Sequence, residues 1–347
     1  MPARTSAGAA YEQSWRRRKA FLALLAAGIA CLAAIDVALG PADISLGRLV
    51  QAVFFPASTD AVTLSIVWNL RLPQALMAVL VGAALGLAGA EMQTVLNNPL
   101  ASPFTLGVSS AAALGAGVTL VFDWHLPFLP TQYALIFNAF ALALLCTLLL
   151  DAIARRARIG AAAIILFGIA LVFTFNALLS LVQLTANASS LQDLVFWMMG
   201  SLARSDWIKL AMMAAALLLT LPFSLHRAWQ LTALRFGDDR AASFGVDPQR
   251  IRRGALLRVS VLAALAVALV GVIGFVGLIA PHIARRLWGE DHRWYLPASA
   301  CIGAAILAGA SIAAKLASSQ LEVPVGIVTT LVGIPFFMLA LMRRSVH

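Results

Sequence analysis

Long apolar stretches, each about the length of a membrane span, recur from residue 20 to residue 342 of this 347-residue chain. Hydrophobic residues make up 61% of the sequence and charged residues only 12%, whereas soluble domains carry about 25% charged residues. A soluble fold of this composition would lack the polar side chains needed to cover its surface. Because about 20 apolar residues in a helix cross the hydrocarbon core of a bilayer, the sequence predicts an all-α integral membrane protein.

The apolar stretches predict about ten transmembrane helices. Their approximate ranges are 20–39, 71–95, 105–122, 133–151, 161–185, 207–225, 255–273, 275–289, 296–316 and 326–342. The first stretch is longer than the apolar region of a signal peptide, which favours an uncleaved helix. We therefore expect a cytoplasmic tail over residues 1–19 and a single transmembrane domain over residues 20–344.

Basic residues are concentrated on one side of the predicted spans. They form the clusters Arg16–Lys19, Arg155–Arg158, Arg227–Arg258, Arg285–Arg293 and Arg343–Arg344. The positive-inside rule then places both termini and the polar block around residues 234–253 in the cytoplasm. The formal net charge is +10, but these charges alternate with spans and do not cluster on one face, so we expect the lipid bilayer and not nucleic acid as a partner.

The sequence contains no recognisable catalytic or energy-coupling motif. Nucleotide-binding, serine-hydrolase and zinc-protease motifs are absent, and Cys31, Cys146 and Cys301 lie in apolar runs without metal-ligand spacing. A proton- or sodium-coupled transporter would carry carboxylates near the bilayer midplane, but Asp36 and Glu91 fall near predicted span ends. We therefore expect neither an enzyme nor a bound metal or cofactor, and a transporter driven by a separate motor; an ion-coupled secondary transporter is the alternative.

The longest polar block, Leu234–Arg253, interrupts this apolar pattern. Asp238 and Asp239 can stabilise the start of a short helix through its dipole. Gly245 suits the left-handed position after a helix, and Pro248 suits the first turn of the next one. The block therefore predicts a rigid helical segment presented to a soluble partner, within a cytoplasmic coupling segment over about residues 227–253.

Three ordered sequence blocks resemble the FecCD-type permeases, the membrane subunits of ABC importers for iron-siderophores, haem and vitamin B12. The blocks are RLPQALMAVLVGAALGLAGAEMQTVLNNPLASPFTLGVSSAAALG at 71–115, GFVGLIAPHIARRLWGEDHR at 274–293 and EVPVGIVTTLVGIPFF at 322–337. The resemblance implies a type II ABC importer permease fold and import of an iron chelate. A ferric siderophore is the expected cargo, and haem or vitamin B12 are the alternatives.

The resemblance also implies partners and site residues. The partners are a dimer of cytoplasmic ATP-binding subunits that holds ATP and Mg, a periplasmic substrate-binding protein, and a second permease subunit, identical or different. The residues implied in ATPase coupling are Gly237, Asp238, Arg240, Ala241, Gly245 and Arg250. Those implied at the cytoplasmic gate are Asn98, Pro99 and Leu100, and the candidates for the pathway lining are Asn176, Ser180 and Gln183.

Docking of the binding protein is implied for Arg48, Arg71 and Lys315. Gln74 replaces a second arginine of the family pattern, and Lys315 stands where the family carries arginine. Lysine cannot form the two-pronged contact of arginine with a carboxylate, so docking is expected to differ from the family pattern. Two alternatives stay open: Arg71 could anchor a helix start at the membrane interface, and the pathway candidates could form hydrogen bonds between helices.

Overall fold

A computed structural model describes residues 6–40, 42–127, 129–156, 161–317 and 323–342, which form fifteen α-helices without a strand among them. The helices are α1 Ser6–Ala38, α2 Leu46–Phe54, α3 Ala61–Ser65, α4 Leu72–Val95, α5 Val108–Phe122, α6 Thr131–Arg156, α7 Ala161–Thr185, α8 Ala188–Met198, α9 Trp207–His226, α10 Ala228–Leu234, α11 Asp238–Ser243, α12 Pro248–Val270, α13 Val276–Trp288, α14 His292–Ala317 and α15 Val325–Met342. A π-helical segment, Ile66–Arg71, joins α3 to α4. Residues 1–5, Arg158, Glu322, Arg343 and Arg344, which the sequence argument uses, lie outside the described residues.

All ten predicted spans contain a helix, which confirms an all-α membrane protein. Within the described residues, seven helical stretches are long and apolar enough to cross a bilayer, and α5 and most of α15 form shorter apolar helices. The predicted eighth span is the 13-residue α13, separated from α12 by a break in which Gly271 and Phe275 have positive φ angles of 80° and 65°. The first helix begins at Ser6 and so continues through the predicted tail.

Helix α4 is the centre of the bundle and packs most extensively against α14. A Cβ atom on Gly82 would overlap the carbonyl oxygen of Gly303, and one on Gly89 would overlap the carbonyl oxygen of Gly277. Small residues allow helices to approach this closely where lipid offers no hydrophobic drive for association. Gly82, Gly86 and Gly89, spaced four and three residues apart in the sequence, therefore act in helix packing.

The two ends of α4 define the two ends of the bundle. Its 24 residues correspond to about 36 Å at 1.5 Å per residue. Arg71 and α2 lie beside its first turn, at what we call the α2 end. Its last residue, Val95, accepts a hydrogen bond from α12 just after α11, at what we call the α11 end. The predicted docking residues and the predicted coupling residues therefore lie at opposite ends of the molecule.

Candidate functional site

The coupling segment folds into two short helices, α10 and α11, before α12 begins. Asp238 and Asp239 occupy the first turn of α11, and Gly245 after its end has a φ of 77°. The Asp247 carboxylate accepts hydrogen bonds from the backbone amides of Gln249 and Arg250 at 3.0 and 3.1 Å, and Pro248 is the first residue of α12. The helix start, the glycine turn and the proline start are thus as the sequence predicts.

The exposed surface of this segment differs from the expected one in one residue. Ala241 is fully buried, so it packs α11 onto the membrane domain and cannot contact a partner in this conformation. Arg240, Gly245 and Arg250 are exposed, as a contact role requires. Two aromatic side chains that the motif comparison did not single out project beside them: Phe236 and Phe244 are 59% and 57% exposed. The segment therefore presents aromatic and basic side chains together.

Arg252 connects α11 to the end of α4. Its Nη2 lies 3.0 Å from Asp238 Oδ1, and its Nε donates to the Val95 carbonyl oxygen at 2.8 Å. One guanidinium therefore binds both the first residue of α11 and the last residue of α4. Charge-assisted hydrogen bonds of this kind are stronger than neutral ones, and through them Arg252 links α11 to the end of α4.

The predicted gate loop follows that connection within five residues. Asn97 has a positive φ of 44°, a conformation in which asparagine is enriched, and it turns the chain out of α4. The Asn98 side-chain oxygen accepts a hydrogen bond from the Leu100 amide at 2.9 Å, which closes a small turn around Pro99. The loop is partly exposed, and Leu100 projects outward. Asn98, Pro99 and Leu100 thus form an ordered loop at the α11 end.

A buried histidine joins α10 to the same end of α4. The His292 Nε2 lies 2.7 Å from Thr94 Oγ1, and its Nδ1 lies 3.1 Å from Thr232 Oγ1 on α10. The Thr94 hydroxyl donates to the Ala90 carbonyl oxygen, and the Thr232 hydroxyl donates to the Ala228 carbonyl oxygen. The Thr232 hydroxyl oxygen also accepts from the His292 backbone amide at 3.1 Å. This arrangement fixes α10 relative to α4 through one buried imidazole.

Two ion pairs near the α11 end differ sharply in burial. Arg258 on α12 forms a two-pronged contact with Glu91 on α4 at 2.8–3.1 Å, and their side chains are only 13% and 2% exposed. Asp291 binds the exposed Arg293 at 2.9 Å. Partial burial raises the pKa of Asp291, but the hydrogen bonds and charge of Arg293 outweigh it, so this pKa lies below its ordinary value. The buried pair joins α4 to α12; the exposed one does not join two spans.

The α2 end assigns different roles to the three basic residues predicted to dock a binding protein. Arg71 is buried and donates to the carbonyl oxygens of Val37, Ala38 and Ala42 at 3.2, 3.0 and 2.5 Å, around the end of α1. Lys315 lies 3.0 Å from the fully buried Asp36 carboxylate. Arg48 is exposed on α2. Arg71 and Lys315 thus bind groups at the end of α1, whereas Arg48 lies on the surface. Of the three residues, Arg48 is the one that this structure leaves exposed for docking.

The pathway candidates share one face of α7. Asn176 and Ser180 are exposed and Gln183 is half-buried, among large apolar side chains that are also exposed. Ser180 donates its hydroxyl proton to the Asn176 carbonyl oxygen within the same helix at 3.0 Å. The alternative of a hydrogen bond to a neighbouring helix is therefore not realised by this hydroxyl in the isolated chain.

Comparisons with known proteins identify the family. The model of the FecCD transport family matches residues 24–343. The chain belongs to the FecCD transport family. The hemin transport system permease protein HmuU of Yersinia pestis is 35% identical over 317 residues, which cover 91% of this chain and 95% of that protein. The iron(3+)-hydroxamate import system permease protein FhuB of Bacillus subtilis is 36% identical, with 88% of this chain and 79% of FhuB covered.

A solved structure supports the same assignment at the level of the fold. An ABC transporter described as metal-chelate type, in an inward-facing conformation, superposes with a TM-score of 0.83 at 29% identity and covers 94% of this chain and 99% of its own. This FecCD-family chain therefore has the type II ABC importer permease fold that the sequence predicts. Among its described residues, no group of three or more His, Cys, Asp or Glu could hold a metal ion.

Sequence reasoning missed several residues that organise this FecCD-family site. Arg252, Thr94 and His292 form the connections between the coupling segment and α4. His292 is the fourth residue of the stretch GEDHR, and the sequence gave no sign that it reaches two threonines from other helices. The available signal was its place in the block 274–293 that resembles the family.

Proposed function

We propose that this protein is the permease subunit of an ATP-binding-cassette importer that moves a ferric siderophore across the bacterial inner membrane into the cytoplasm. ATP hydrolysis takes place in a separate dimer of ATP-binding subunits that holds ATP and Mg, and the permease itself is not an enzyme. Haem is the second candidate cargo, because the hemin permease HmuU aligns over 95% of its length. The hydroxamate permease FhuB favours the siderophore.

The observation that carries this proposal is the contact of Arg252 with both α11 and α4. The exposed Phe236, Arg240, Phe244 and Arg250 form the surface that docks into the ATPase. Aromatic and arginine side chains are the types that dominate binding energy at protein interfaces. When the ATPase subunits move α11, the Asp238–Arg252–Val95 connection moves the end of α4 and the loop Asn98–Leu100, which opens or closes the cytoplasmic gate.

The pathway lies between two permease subunits, and α7 contributes to its wall. Polar side chains on a lipid-facing surface are unfavourable and in membrane proteins usually face a bundle interior or a water-filled cavity. Asn176, Ser180 and Gln183 follow one another at helical intervals on a face that the single chain leaves uncovered. A second subunit across this face would place them along a shared, weakly binding passage, which suits conduction because the cargo must be released.

The binding protein docks at the α2 end in this proposal, with both termini of the permease in the cytoplasm. Arg48 contacts an acidic residue of that protein directly. Arg71 and Lys315 act indirectly, by fixing the end of α1 beside it. This division of roles explains how the departures from the family pattern at Gln74 and Lys315 are compatible with docking.

The test measures ATP-dependent uptake by proteoliposomes that contain the permease, its ATPase and its binding protein. We expect uptake of a ferric hydroxamate, and a loss of transport in Arg252→Ala that exceeds any loss of ATPase binding. Arg253→Ala is the matched control, because Arg253 is 62% exposed and lies 3.8 Å from Asp151 on α6 instead of contacting α4.

Three outcomes distinguish the possible errors. Uptake of haem but not of the ferric hydroxamate would show that haem is the cargo, and would leave the proposed ATP-driven import mechanism unchanged. Uptake driven by a proton gradient without the ATPase would overturn the importer proposal itself. Normal transport by Arg252→Ala would show that the connection between α11 and α4 does not carry the gate movement.

A further inference from the structure

Helix α2 has three distinct faces around its nine residues. At about 100° per residue, Leu49 and Ala52 fall on one face, and they are buried against the ends of α1 and α4. Leu46, Val50 and Phe54 fall within the adjoining arc of about 80°, and they are 68%, 45% and 71% exposed. The remaining arc carries polar side chains. An uncovered apolar stripe therefore separates the protein-facing side of α2 from its polar side.

The polar arc of α2 consists of Arg48 and Gln51, both exposed. Arg48 lies well away from the stripe, across the helix from Leu46 and Val50. A short helix with apolar and polar faces divided in this way is typical of segments that lie along a bilayer surface, with the apolar face below the headgroups and the polar face in water.

Hydrogen bonds at both ends hold α2 in place. The Ser45 hydroxyl oxygen accepts from the Arg48 amide at its start. The Gln51 side chain donates to the carbonyl and hydroxyl oxygens of Ser58 at 3.0 and 3.1 Å. The Trp68 indole donates to the Ala52 carbonyl oxygen at 3.0 Å. The exposed stripe therefore belongs to a fixed helix with a defined orientation.

A tryptophan pair continues from α2 onto the surface of the spans. Trp68 and Trp207 lie with ring centroids 5.9 Å apart, and the Trp207 indole donates to the Trp68 carbonyl oxygen at 2.8 Å. Both rings are partly exposed, and Ile208 on α9 is exposed beside them. Tryptophan is enriched where a membrane protein crosses the boundary between hydrocarbon and headgroups. The pair marks that boundary beside α2.

The geometry points to α2 as an interfacial helix whose Leu46, Val50 and Phe54 insert into the lipid leaflet at the α2 end of the protein. Three observations favour lipid as the occupant. The stripe contains no group that could orient a soluble partner by charge or hydrogen bonding. It belongs to a helix that Trp68 binds through the Ala52 carbonyl oxygen, beside the Trp68–Trp207 pair. Its polar arc stays available to water or headgroups. In this position α2 holds the connection between α1 and α4 against the membrane surface.

The experiment places an environment-sensitive thiol probe on α2 of the full-length protein in phosphatidylcholine nanodiscs. The background is Cys31→Ala with Cys301→Ala, and it keeps Cys146, which is buried. Bimane is attached at Val50→Cys on the stripe or at Arg48→Cys on the polar arc as the matched control. Phe54→Cys repeats the measurement one turn further along. Quenching is recorded with brominated lipid chains and with iodide in the buffer.

Insertion predicts that brominated chains quench the probe at Val50→Cys and Phe54→Cys more strongly than at Arg48→Cys. Iodide is expected to show the opposite order, and the emission at Val50→Cys to shift to the blue. Equal quenching of Val50→Cys and Arg48→Cys by brominated chains would overturn the inference, because the stripe would then lie no closer to the lipid chains than the polar arc does. Protection of Val50→Cys from both quenchers would also overturn it, since a protein, such as a second copy of the chain, would then cover the stripe.

Discussion

The buried pair Glu91–Arg258 provides the sharpest test of how this bundle is held together. Both side chains lie almost entirely inside the protein, with Arg258 Nη2 2.8 Å and Nε 3.1 Å from the carboxylate oxygens. Substitution Glu91→Gln leaves the Arg258 charge without its partner while changing the side-chain volume very little. Removal of one member of a buried pair costs about 3–5 kcal/mol. Because glutamine retains one hydrogen-bond acceptor, we expect a loss of about 3 kcal/mol, at the lower end of that range.

The same reasoning predicts the behaviour of a double variant, Glu91→Leu with Arg258→Met, which removes both charges together. Replacement of a buried pair by apolar residues is often neutral or stabilising. We therefore expect the double variant to be more stable than Glu91→Gln.

The assay is reversible unfolding in mixed micelles of lipid and detergent with an increasing fraction of denaturing detergent, followed by tryptophan fluorescence. The free energy of unfolding is obtained by linear extrapolation. Asp291→Asn is the control, because Arg293 in that pair is 64% exposed and exposed pairs contribute only about 0–1 kcal/mol. A loss below about 1 kcal/mol for Glu91→Gln, or a double variant less stable than Glu91→Gln, would refute the reasoning.

Three further predictions concern packing, the α2 end and the coupling segment. Gly89→Ala is expected to destabilise the protein in the same unfolding assay by about 1–3 kcal/mol through overpacking. Gly309→Ala, which meets nothing within 4 Å, is expected to be neutral or slightly stabilising; equal losses would contradict the packing argument. Arg71→Ala is expected to cost about 1.5–3 kcal/mol through lost charge-assisted hydrogen bonds, whereas Arg48→Ala leaves stability unchanged and weakens binding-protein capture. The reverse pattern would restore Arg71 as a docking residue. Phe244→Ser is expected to weaken ATPase binding about tenfold in a pull-down titration without loss of stability, and unchanged binding would remove Phe244 from the interface.

Local rules were sufficient to predict the membrane class, the spans and the form of the coupling segment. The apolar runs predicted helices because the backbone of a span must satisfy its own hydrogen bonds in lipid. The start of α11 at Asp238, the turn at Gly245 and the start of α12 at Pro248 followed from capping and turn preferences, and the structure confirms all three. The spacing of Gly82 and Gly86, four residues apart in an apolar run, is typical of close helix packing, and the contact of Gly82 with Gly303 shows such packing.

Those local rules could not predict contacts between residues that are distant in sequence. The family resemblance implied docking roles for Arg71 and Lys315, but Arg71 donates to three backbone carbonyl groups and Lys315 binds Asp36, 279 residues away in sequence. Ala241 matches the family pattern of the coupling segment but is buried. The pattern could not predict this, because it specifies the residue type at a position and not the side of α11 on which that residue lies.

The sequence by itself therefore determined that this chain spans a membrane, roughly where its apolar spans lie, and which family it resembles. These properties depend on neighbouring residues and on the lipid solvent, and both can be deduced from the order of residues. The tertiary structure alone decided which charges are available to partners. Whether Arg252, Glu91 or Lys315 is bonded internally depends on which helix ends are brought within about 3 Å of one another, and this follows from the packing of the whole bundle.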